Sequence, residues 1–189
     1  MIVRLLKRVA VTLAIGLVIA GIAAVGWAGW LQHTGNLHAV VAGQVYRSAQ
    51  PSGQRLSTWT TAYGFRSVLN LRGQSDATWY RQERREARRL NLHHVDFAMS
   101  DDQQMTPARA ADLISLLHAL PKPLLIHCKA GADRTGLAAA LYLASLGHPE
   151  AEAEAQISFQ YGHVSLPVSA AWPMNLSWEA LEPSLGYDS

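Results

Sequence analysis

The single cysteine of this chain lies in a loop whose residue types suit phosphate chemistry. Cys128 follows an apolar run at residues 124–126 that predicts a buried strand, and Arg134-Thr135-Gly136 opens an Ala/Leu-rich segment that predicts a helix. In such a unit, backbone N–H groups and the positive end of the helix dipole can surround a phosphate, and a guanidinium can hold two of its oxygens. A thiol in that field is favoured as the thiolate, which is the nucleophilic form.

This loop resembles a known signature. His127-Cys128 through Arg134-Thr135-Gly136 is similar to the H-C-x5-R-[ST]-G loop of the cysteine-dependent phosphatases, the superfamily of protein tyrosine and dual-specificity phosphatases. The resemblance implies that Cys128 forms a phosphocysteine intermediate, that Arg134 binds the phosphoryl group, and that the Thr135 hydroxyl assists the departing thiolate. It also implies that His127 orients the loop and favours the thiolate, and that the chemistry needs no metal and no cofactor. The implied substrate-binding residues are Lys129, Ala130, Gly131, Ala132, Asp133 and Arg134.

Other interpretations of Cys128 are weaker. A single cysteine is usually a small buried hydrophobic residue, but this does not explain the arginine, threonine and glycines beside it. Thiol redox chemistry or sulfur transfer is a second alternative, and the chain has no C-x-x-C pair. A third is a pseudophosphatase, a phosphate-binding module without turnover. The presence of the cysteine, the arginine and candidate acids favours the enzyme.

A phosphatase of this kind also needs a proton donor for the leaving alkoxide or phenoxide. The family that the loop resembles uses an aspartate on a loop upstream of the cysteine. Asp101 and Asp102 lie on such a loop, 27 and 26 residues before Cys128. Asp101 is the preferred acid, Asp102 is second, and Asp96 is third because it lies inside a predicted strand. Loop aspartates often form turns, which is the competing interpretation.

Two loop residues bear on substrate choice. Lys129 adds positive charge beside the nucleophile and resembles the loops of family members that take phosphoinositides or other polyanions; a solvated lysine is the alternative. Asp133 either adds negative charge next to Arg134 or orients loop amides or a neighbouring cation. Well-known tyrosine phosphatases commonly carry a small or neutral residue there, so phosphotyrosine is not favoured as the natural substrate. The expected substrate is a phosphorylated protein, or a phosphorylated lipid or glycolipid.

The first 31 residues predict a membrane anchor. Their only charges are Arg4, Lys7 and Arg8, and the 23 residues at 9–31 are uncharged. At ~1.5 Å per residue that helix measures roughly 34 Å, enough to cross a ~30 Å hydrocarbon core. The preceding cations predict a single-pass protein of a bacterial inner membrane with its catalytic domain in the periplasm. A cleaved signal peptide and a buried core helix are the alternatives; the length of the apolar run favours a retained anchor.

The chain is predicted to contain four regions. These are an anchor or signal segment at 1–31, a linker at 32–38, a phosphatase domain at 39–165 and a C-terminal tail at 166–189. Alternating strands and helices predict an α/β domain like that of dual-specificity phosphatases, with a central, mostly parallel sheet flanked by helices, plus an N-terminal transmembrane helix. The sequence leaves open whether the tail covers the core or contacts the membrane. It also leaves the oligomeric state open.

Charge argues against a nucleic-acid partner. Beyond residue 31 the chain carries 13 basic and 14 acidic residues, so its folded part is nearly neutral. One predicted helix is nevertheless rich in arginine, with Arg81, Arg85 and Arg89 along one face. This stripe either faces anionic lipid or an acidic substrate, or it is a solvated face with Glu83 and Glu86 as partial partners, which is preferred.

Two further arginines stand in segments that resemble the front half of bacterial dual-specificity-like phosphatases. Arg47 lies in Tyr-Arg-Ser-Ala-Gln-Pro, and Arg72 follows Ser-Val-Leu-Asn-Leu. These segments help to frame the pocket in that family. Spacing alone assigns no role to either arginine, and a surface or capping arginine is the preferred interpretation of both.

Overall fold

The computed structural model describes residues 2–187, which divide into two compact units between Thr34 and Gly35. The first unit is helix α1 (Ile2–Thr34). Of the described helices, α1 is the one long and apolar enough to cross a membrane: residues 6–34 reach a mean hydropathy of 2.5, and none of the most apolar window is buried. A signal sequence can meet the same criteria of length and hydropathy, so α1 is described as a candidate span.

The second unit is built on a five-stranded sheet. Its strands follow the order β1-β2-β5-β3-β4. The β1–β2 pair is antiparallel and the other three pairs are parallel. The predicted α/β fold with a mostly parallel sheet is therefore confirmed. The strands are β1 (His38–Val41), β2 (Val45–Ser48), β3 (Ser67–Asn70), β4 (His93–Asp96) and β5 (Leu124–His127).

Helices cover both faces of this sheet. They are α2 (Gly53–Tyr63), α3 (Thr78–Arg89), α4 (Pro107–Ala119), α5 (Asp133–Ser145), α6 (Glu150–Glu154) and α7 (Pro173–Leu185), with a 3₁₀ turn at Phe159–Tyr161. A small apolar cluster holds side chains of α2 and α3 against one face. A larger cluster packs α4, α5 and α7 against the other. The two layers explain why the strands carry near-continuous apolar runs rather than alternating ones.

The central strand β5 brings the cysteine to one edge of the sheet. All four of its residues are buried. Its last residue, His127, pairs in register with Ser48 of β2 on one side and Asn70 of β3 on the other. Because these strands are parallel, the segments that follow all three of them emerge at the same edge. That edge is where α/β sheets bind ligands.

The C-terminal segment belongs to the same compact unit as the sheet. Helix α7 packs on α5, and it buries Met174, Trp178 and Leu181 in the larger apolar cluster. The Ser177 hydroxyl accepts a hydrogen bond from the Met105 backbone N–H at 2.9 Å. Of the two alternatives left open for the predicted tail at 166–189, its described part, to residue 187, covers the core. The buried residues follow the i, i+4, i+7 spacing of an amphipathic helix.

Candidate active site

The loop at residues 128–132 connects β5 to α5 at the carboxyl edge of the sheet. Cys128 is the first loop residue and is 1% exposed. Arg134 and Thr135 already belong to the first turn of α5. The apolar strand, the buried sulfur and the helix N-terminus thus form one continuous unit, in the order that the sequence predicts.

Four consecutive loop carbonyls, those of residues 129–132, point outward into the surrounding domain. Their donors are the Gln50 N–H for Lys129 (3.1 Å), Asn36 Nδ2 for Ala130 (3.0 Å), and Arg47 Nη2 for Gly131 (2.9 Å) and Ala132 (3.3 Å). With its carbonyls turned outward, the loop presents the N–H edge of its peptide groups to the interior. Such an edge at a helix N-terminus is a site for an anion.

Glycine is required at two places where this loop meets its neighbours. Gly131 has a φ of +75°, and a Cβ built on it would lie 2.5 Å from the Ala49 nitrogen and 2.6 Å from the Ser48 carbonyl carbon. At Gly136 a Cβ would lie 2.8 Å from the Gln156 carbonyl oxygen. Because neither residue has a side chain, neighbouring backbone can pack directly against the loop, and the loop can curl tightly.

Arg47 of β2 holds the loop in place by donating hydrogen bonds to two of its carbonyls. It is fully buried, donates from Nη1 to the Gln156 backbone and side-chain oxygens at 2.7 and 2.9 Å, and lies 3.8 Å over the Tyr161 ring. Burial lowers its pKa to about 10, against the opposing effect of Tyr161, Cys128 and Asp133. The interpretation of Arg47 as a surface arginine is wrong. The sequence signal for burial of Arg47 was its position two residues after the apolar Val45, which puts both side chains on the same face of β2.

Arg134 contacts one of the candidate acids. Its Nη2 lies 3.0 Å from Asp101 Oδ2, and its Nη1 lies 3.4 Å from the Met99 carbonyl oxygen. The arginine side chain is 12% exposed and that of Asp101 is 44% exposed. Asp102 points elsewhere and accepts a hydrogen bond from the Ser100 hydroxyl. Of the two loop aspartates, the structure places Asp101 against the signature arginine.

Asp96, the third candidate acid, is held by other contacts. It accepts hydrogen bonds from Asn70 Nδ2 at 2.7 Å and from the Tyr80 hydroxyl at 2.5 Å. Burial, together with the bond to Asp96, raises the pKa of Tyr80 to about 12. These contacts join β3, β4 and α3 beneath the site.

A buried carboxylate stands behind the histidine of the signature. Glu83 Oε1 lies 3.1 Å from His127 Nε2 and 2.7 Å from His94 Nε2. Burial alone would raise the pKa of Glu83, but the two histidines outweigh it and lower the pKa to about 2. Because a carboxylate only accepts hydrogen bonds, both Nε2 atoms carry the proton. The other ring nitrogen of His127 lies 3.3 Å from the Cys128 carbonyl oxygen.

Sequence reasoning missed Glu83 because it treated this residue as a surface partner of the arginines. Tyr80, Glu83 and Ala87 form the buried face of α3 at i, i+3 and i+7, and this spacing was the available signal. Glu86 pairs with Arg89 at 2.6 Å. Arg81, Arg85 and Arg89 are exposed. The preferred interpretation of the stripe as a solvated face with Glu86 as a partial partner therefore agrees with the structure, and only its assignment of Glu83 as a second partner is wrong.

The remaining predicted site residues lie around the loop. Asp133 contacts a buried histidine: His163 Nδ1 is 2.8 Å from its Oδ1. Lys129 is exposed. Arg134 Nε and the Thr135 hydroxyl are buried and have no hydrogen-bond partner within residues 2–187. These two groups are available to a bound anion or to the sulfur.

Comparison with known proteins identifies the family. The profile described as "Tyrosine phosphatase family" matches residues 28–156, which is more than half of the chain. No curated protein matches the chain significantly.

Solved structures show the same fold. TpbA of P. aeruginosa superposes with a TM-score of 0.59 at 21% identity, covering 80% of this chain and 91% of TpbA. PTPMT1 superposes at 0.58 and 16% identity, covering 78% and 97% of the two chains. The catalytic core of the PP-IP phosphatase Siw14 of S. cerevisiae superposes at 0.59 and 16% identity, covering 75% and 85%. At these identities the likeness concerns the fold.

Proposed function

Since this chain belongs to the tyrosine phosphatase family and is a cysteine-dependent phosphatase, we propose that it hydrolyses phosphate monoesters through a phosphocysteine on Cys128. The observation that carries the assignment of roles is the 3.0 Å contact between Arg134 and Asp101. It brings a candidate proton donor to the candidate phosphate-binding arginine, at the mouth of the loop that contains the cysteine.

In the first step the Cys128 thiolate attacks phosphorus, an S–P bond forms and the P–O bond to the leaving group breaks. Arg134 and the loop amides hold the non-bridging oxygens as charge develops on them. Asp101 gives its proton to the leaving oxygen, so that an alcohol or phenol departs instead of an oxyanion.

In the second step water attacks the phosphorus of the phosphocysteine. Asp101, now a carboxylate, takes a proton from that water, the S–P bond breaks and inorganic phosphate forms. The Thr135 hydroxyl donates a hydrogen bond to the leaving sulfur. This hydroxyl belongs to the residue after Arg134 and is buried without a hydrogen-bond partner among the described residues.

His127 and Glu83 act through the loop and do not contact the reacting atoms. His127 donates from Nε2 to the Glu83 carboxylate, and its Nδ1 lies 3.3 Å from the Cys128 carbonyl oxygen, to which it can donate a second hydrogen bond. His127 and Glu83 are therefore positioning residues, which hold Cys128 in place relative to the backbone N–H groups of the loop.

The substrate is proposed to be a phosphorylated protein or a phosphorylated lipid or glycolipid. Support for this range comes from proteins of similar fold: TpbA has been crystallised with pTyr and PTPMT1 with PI(5)P. Lys129, exposed beside the nucleophile, supports an anionic substrate.

The protein is further proposed to be tethered to a bacterial inner membrane by α1, with its catalytic domain in the periplasm. The length and mean hydropathy of α1 and the three cations at its start support this. Alkaline extraction of membranes tests it, because a retained span stays in the pellet, and proteolysis of intact spheroplasts reports the side. Release into the soluble fraction as a shortened chain would favour the signal peptide.

The catalytic proposal is tested by phosphate release from the full chain in mild detergent. The panel contains phosphopeptides, phosphoinositides and phosphorylated glycolipids, and Cys128→Ser is the matched control. We expect release that depends on Cys128. Release that persists in Cys128→Ser, or no release by a wild-type chain that still binds phosphate analogues, would overturn the proposal.

A further inference from the structure

Arg72 emerges at the same edge of the sheet as the nucleophile. It lies two residues beyond the end of β3, whose last residue, Asn70, is in register with His127. The Leu71 N–H donates to the His127 carbonyl at 2.9 Å, which continues the pairing past the end of the strand. The residue after Leu71 therefore lies beside the residues that follow His127, at the mouth of the loop.

The guanidinium of Arg72 is held rigidly. It stacks 3.7 Å from the Trp79 ring and donates from Nη1 to Gln50 Oε1 at 3.1 Å. Gln50 in turn is fixed by its side-chain bond to Glu83 and by its backbone bond to the Lys129 carbonyl. A long cationic side chain that is already ordered loses little conformational entropy when it binds a ligand.

Arg72 is also a cation without an ion-pair partner. Within residues 2–187 no carboxylate oxygen lies at ion-pair distance from it, and the Gln50 contact uses only one of its five N–H donors. Burial lowers the pKa of Arg72, and the positive charge of Arg134 lowers it further, against the opposing effect of Cys128 and Glu83. The guanidiniums of Arg72 and Arg134 and the exposed Lys129 thus lie around one loop, the candidate site for the transferred phosphate.

We propose that Arg72 is a specificity-determining residue that binds a second phosphate group of the substrate, adjacent to the phosphate transferred to Cys128. The inference rests on the proposed phosphatase function and narrows its substrate class to compounds with two neighbouring phosphates. In the proposed mechanism the loop amides and Arg134 bind a single phosphate, and Arg72 is anchored outside that loop by Trp79 and Gln50. Both a soluble polyphosphorylated metabolite and a phosphorylated lipid headgroup present this chemistry.

The test measures binding in a chain that cannot turn over. Full-length Cys128→Ser in mild detergent is titrated by calorimetry with an inositol bisphosphate carrying vicinal phosphates, and with the matching monophosphate. We expect Arg72→Gln to weaken bisphosphate binding at least tenfold more than monophosphate binding, because a charge-assisted contact is lost only with the former. Arg72→Lys should retain part of the preference. Short-chain phosphatidylinositol versions of both probes show which source binds more tightly.

Arg84→Gln is the matched control. Arg84 lies on the exposed face of α3, 5.7 Å from the Tyr80 ring, and its loss changes the net charge equally. It should alter neither affinity. Equal losses for both probes in Arg72→Gln, or no preference for the bisphosphate in the parent chain, would overturn the inference. Cysteine-dependent release of phosphate from p-nitrophenyl phosphate by the wild-type chain separates that failure from failure of the phosphatase proposal.

Discussion

At the scale of single residues, the proposed mechanism gives Arg134 two competing anionic partners, Asp101 and the substrate phosphate. In the structure its Nη2 contacts the Asp101 carboxylate at 3.0 Å. A phosphate entering the loop would take over that guanidinium, since bidentate binding of phosphate is stronger than a half-exposed ion pair. In the proposed mechanism Asp101, no longer paired with the guanidinium, would take up a proton from solvent and lie beside the leaving group as its proton donor. The ion pair therefore couples substrate binding to placement of the acid.

The role of Asp101 predicts a leaving-group effect. Asp101→Asn should lower kcat about 10²–10⁴-fold for an alkyl phosphate, because the alkoxide then departs unprotonated. The loss should be much smaller for p-nitrophenyl phosphate, whose phenoxide leaves without help. Steady-state kinetics against Asp102→Asn provide the check; an equal loss in Asp102→Asn would contradict the assignment.

Glu83 predicts a pH dependence of stability. Its pKa in the fold is about 2 against an ordinary value of 4.5, so its stabilising effect is complete above pH 4.5 and is lost as the pH falls towards 2. Glu83→Gln should cost roughly 3 kcal/mol of unfolding free energy at pH 7 and progressively less in acid. Urea unfolding of both chains at several pH values measures this. A pH-independent difference would mean that the buried ion pair is not its source.

At the scale of elements, the curled loop depends on backbone packing as much as on its functional side chains. Its carbonyls accept hydrogen bonds from Arg47 of β2, from Asn36 before β1 and from Gln50 after β2. Gly131 lies against the backbone of residues 48 and 49. The shape of the candidate phosphate-binding loop thus depends on the contact between the ends of β2 and β5.

Gly131→Ala tests this contact. Because its Cβ would meet backbone at 2.5 Å, the loop must shift, and we expect activity to fall at least a hundredfold together with a loss of stability. Gly147→Ala is the matched control, since Gly147 has a similar φ of +79° but no atom within 4 Å of a Cβ. The control should lose about 1–2 kcal/mol of stability through backbone strain and keep its kcat. Similar activity in both variants would show that the tight approach does not matter for catalysis.

The sequence predicted the elements that local patterns encode. The apolar run into Cys128 and the alternation of strands and helices follow from short-range rules, and the structure agrees with them. Arg47 and Glu83 were misjudged because their partners lie far along the chain: Arg47 meets carbonyls at 131 and 156, and Glu83 meets His127. Charged residues buried by distant partners carry no local signal beyond the face on which they lie.

At the scale of the whole molecule, the C-terminal segment completes the catalytic unit. Helix α7 packs on α5, the helix that follows the loop at residues 128–132. His163, which precedes α7, places its Nδ1 2.8 Å from Asp133 Oδ1. The segment thus supports the loop residues from the side opposite to α3. Residues 166–189 are rich in Trp, Pro and Ser, and this composition did not predict α7, whose buried face is largely apolar.

Removal of the central side chain of α7 should destabilise the whole unit. Trp178 is fully buried, so Trp178→Ala should lower the free energy of unfolding by about 3–5 kcal/mol through the cavity that it leaves. Trp172→Ala, at a half-buried position, should cost clearly less. Denaturant unfolding followed by near-UV circular dichroism compares the two. Equal and small effects would place α7 outside the cooperative core.

The most direct test of the account is capture of the phosphoenzyme. Wild-type chain mixed with excess p-nitrophenyl phosphate is quenched in acid within milliseconds, digested and examined by mass spectrometry, with Cys128→Ser treated in parallel. We expect one phosphoryl group on the peptide that contains Cys128 in the wild type, formed at least as fast as steady-state turnover, and none on that peptide in the variant. Turnover without a phosphorylated Cys128 peptide, or a phosphoryl group on another residue, would contradict it.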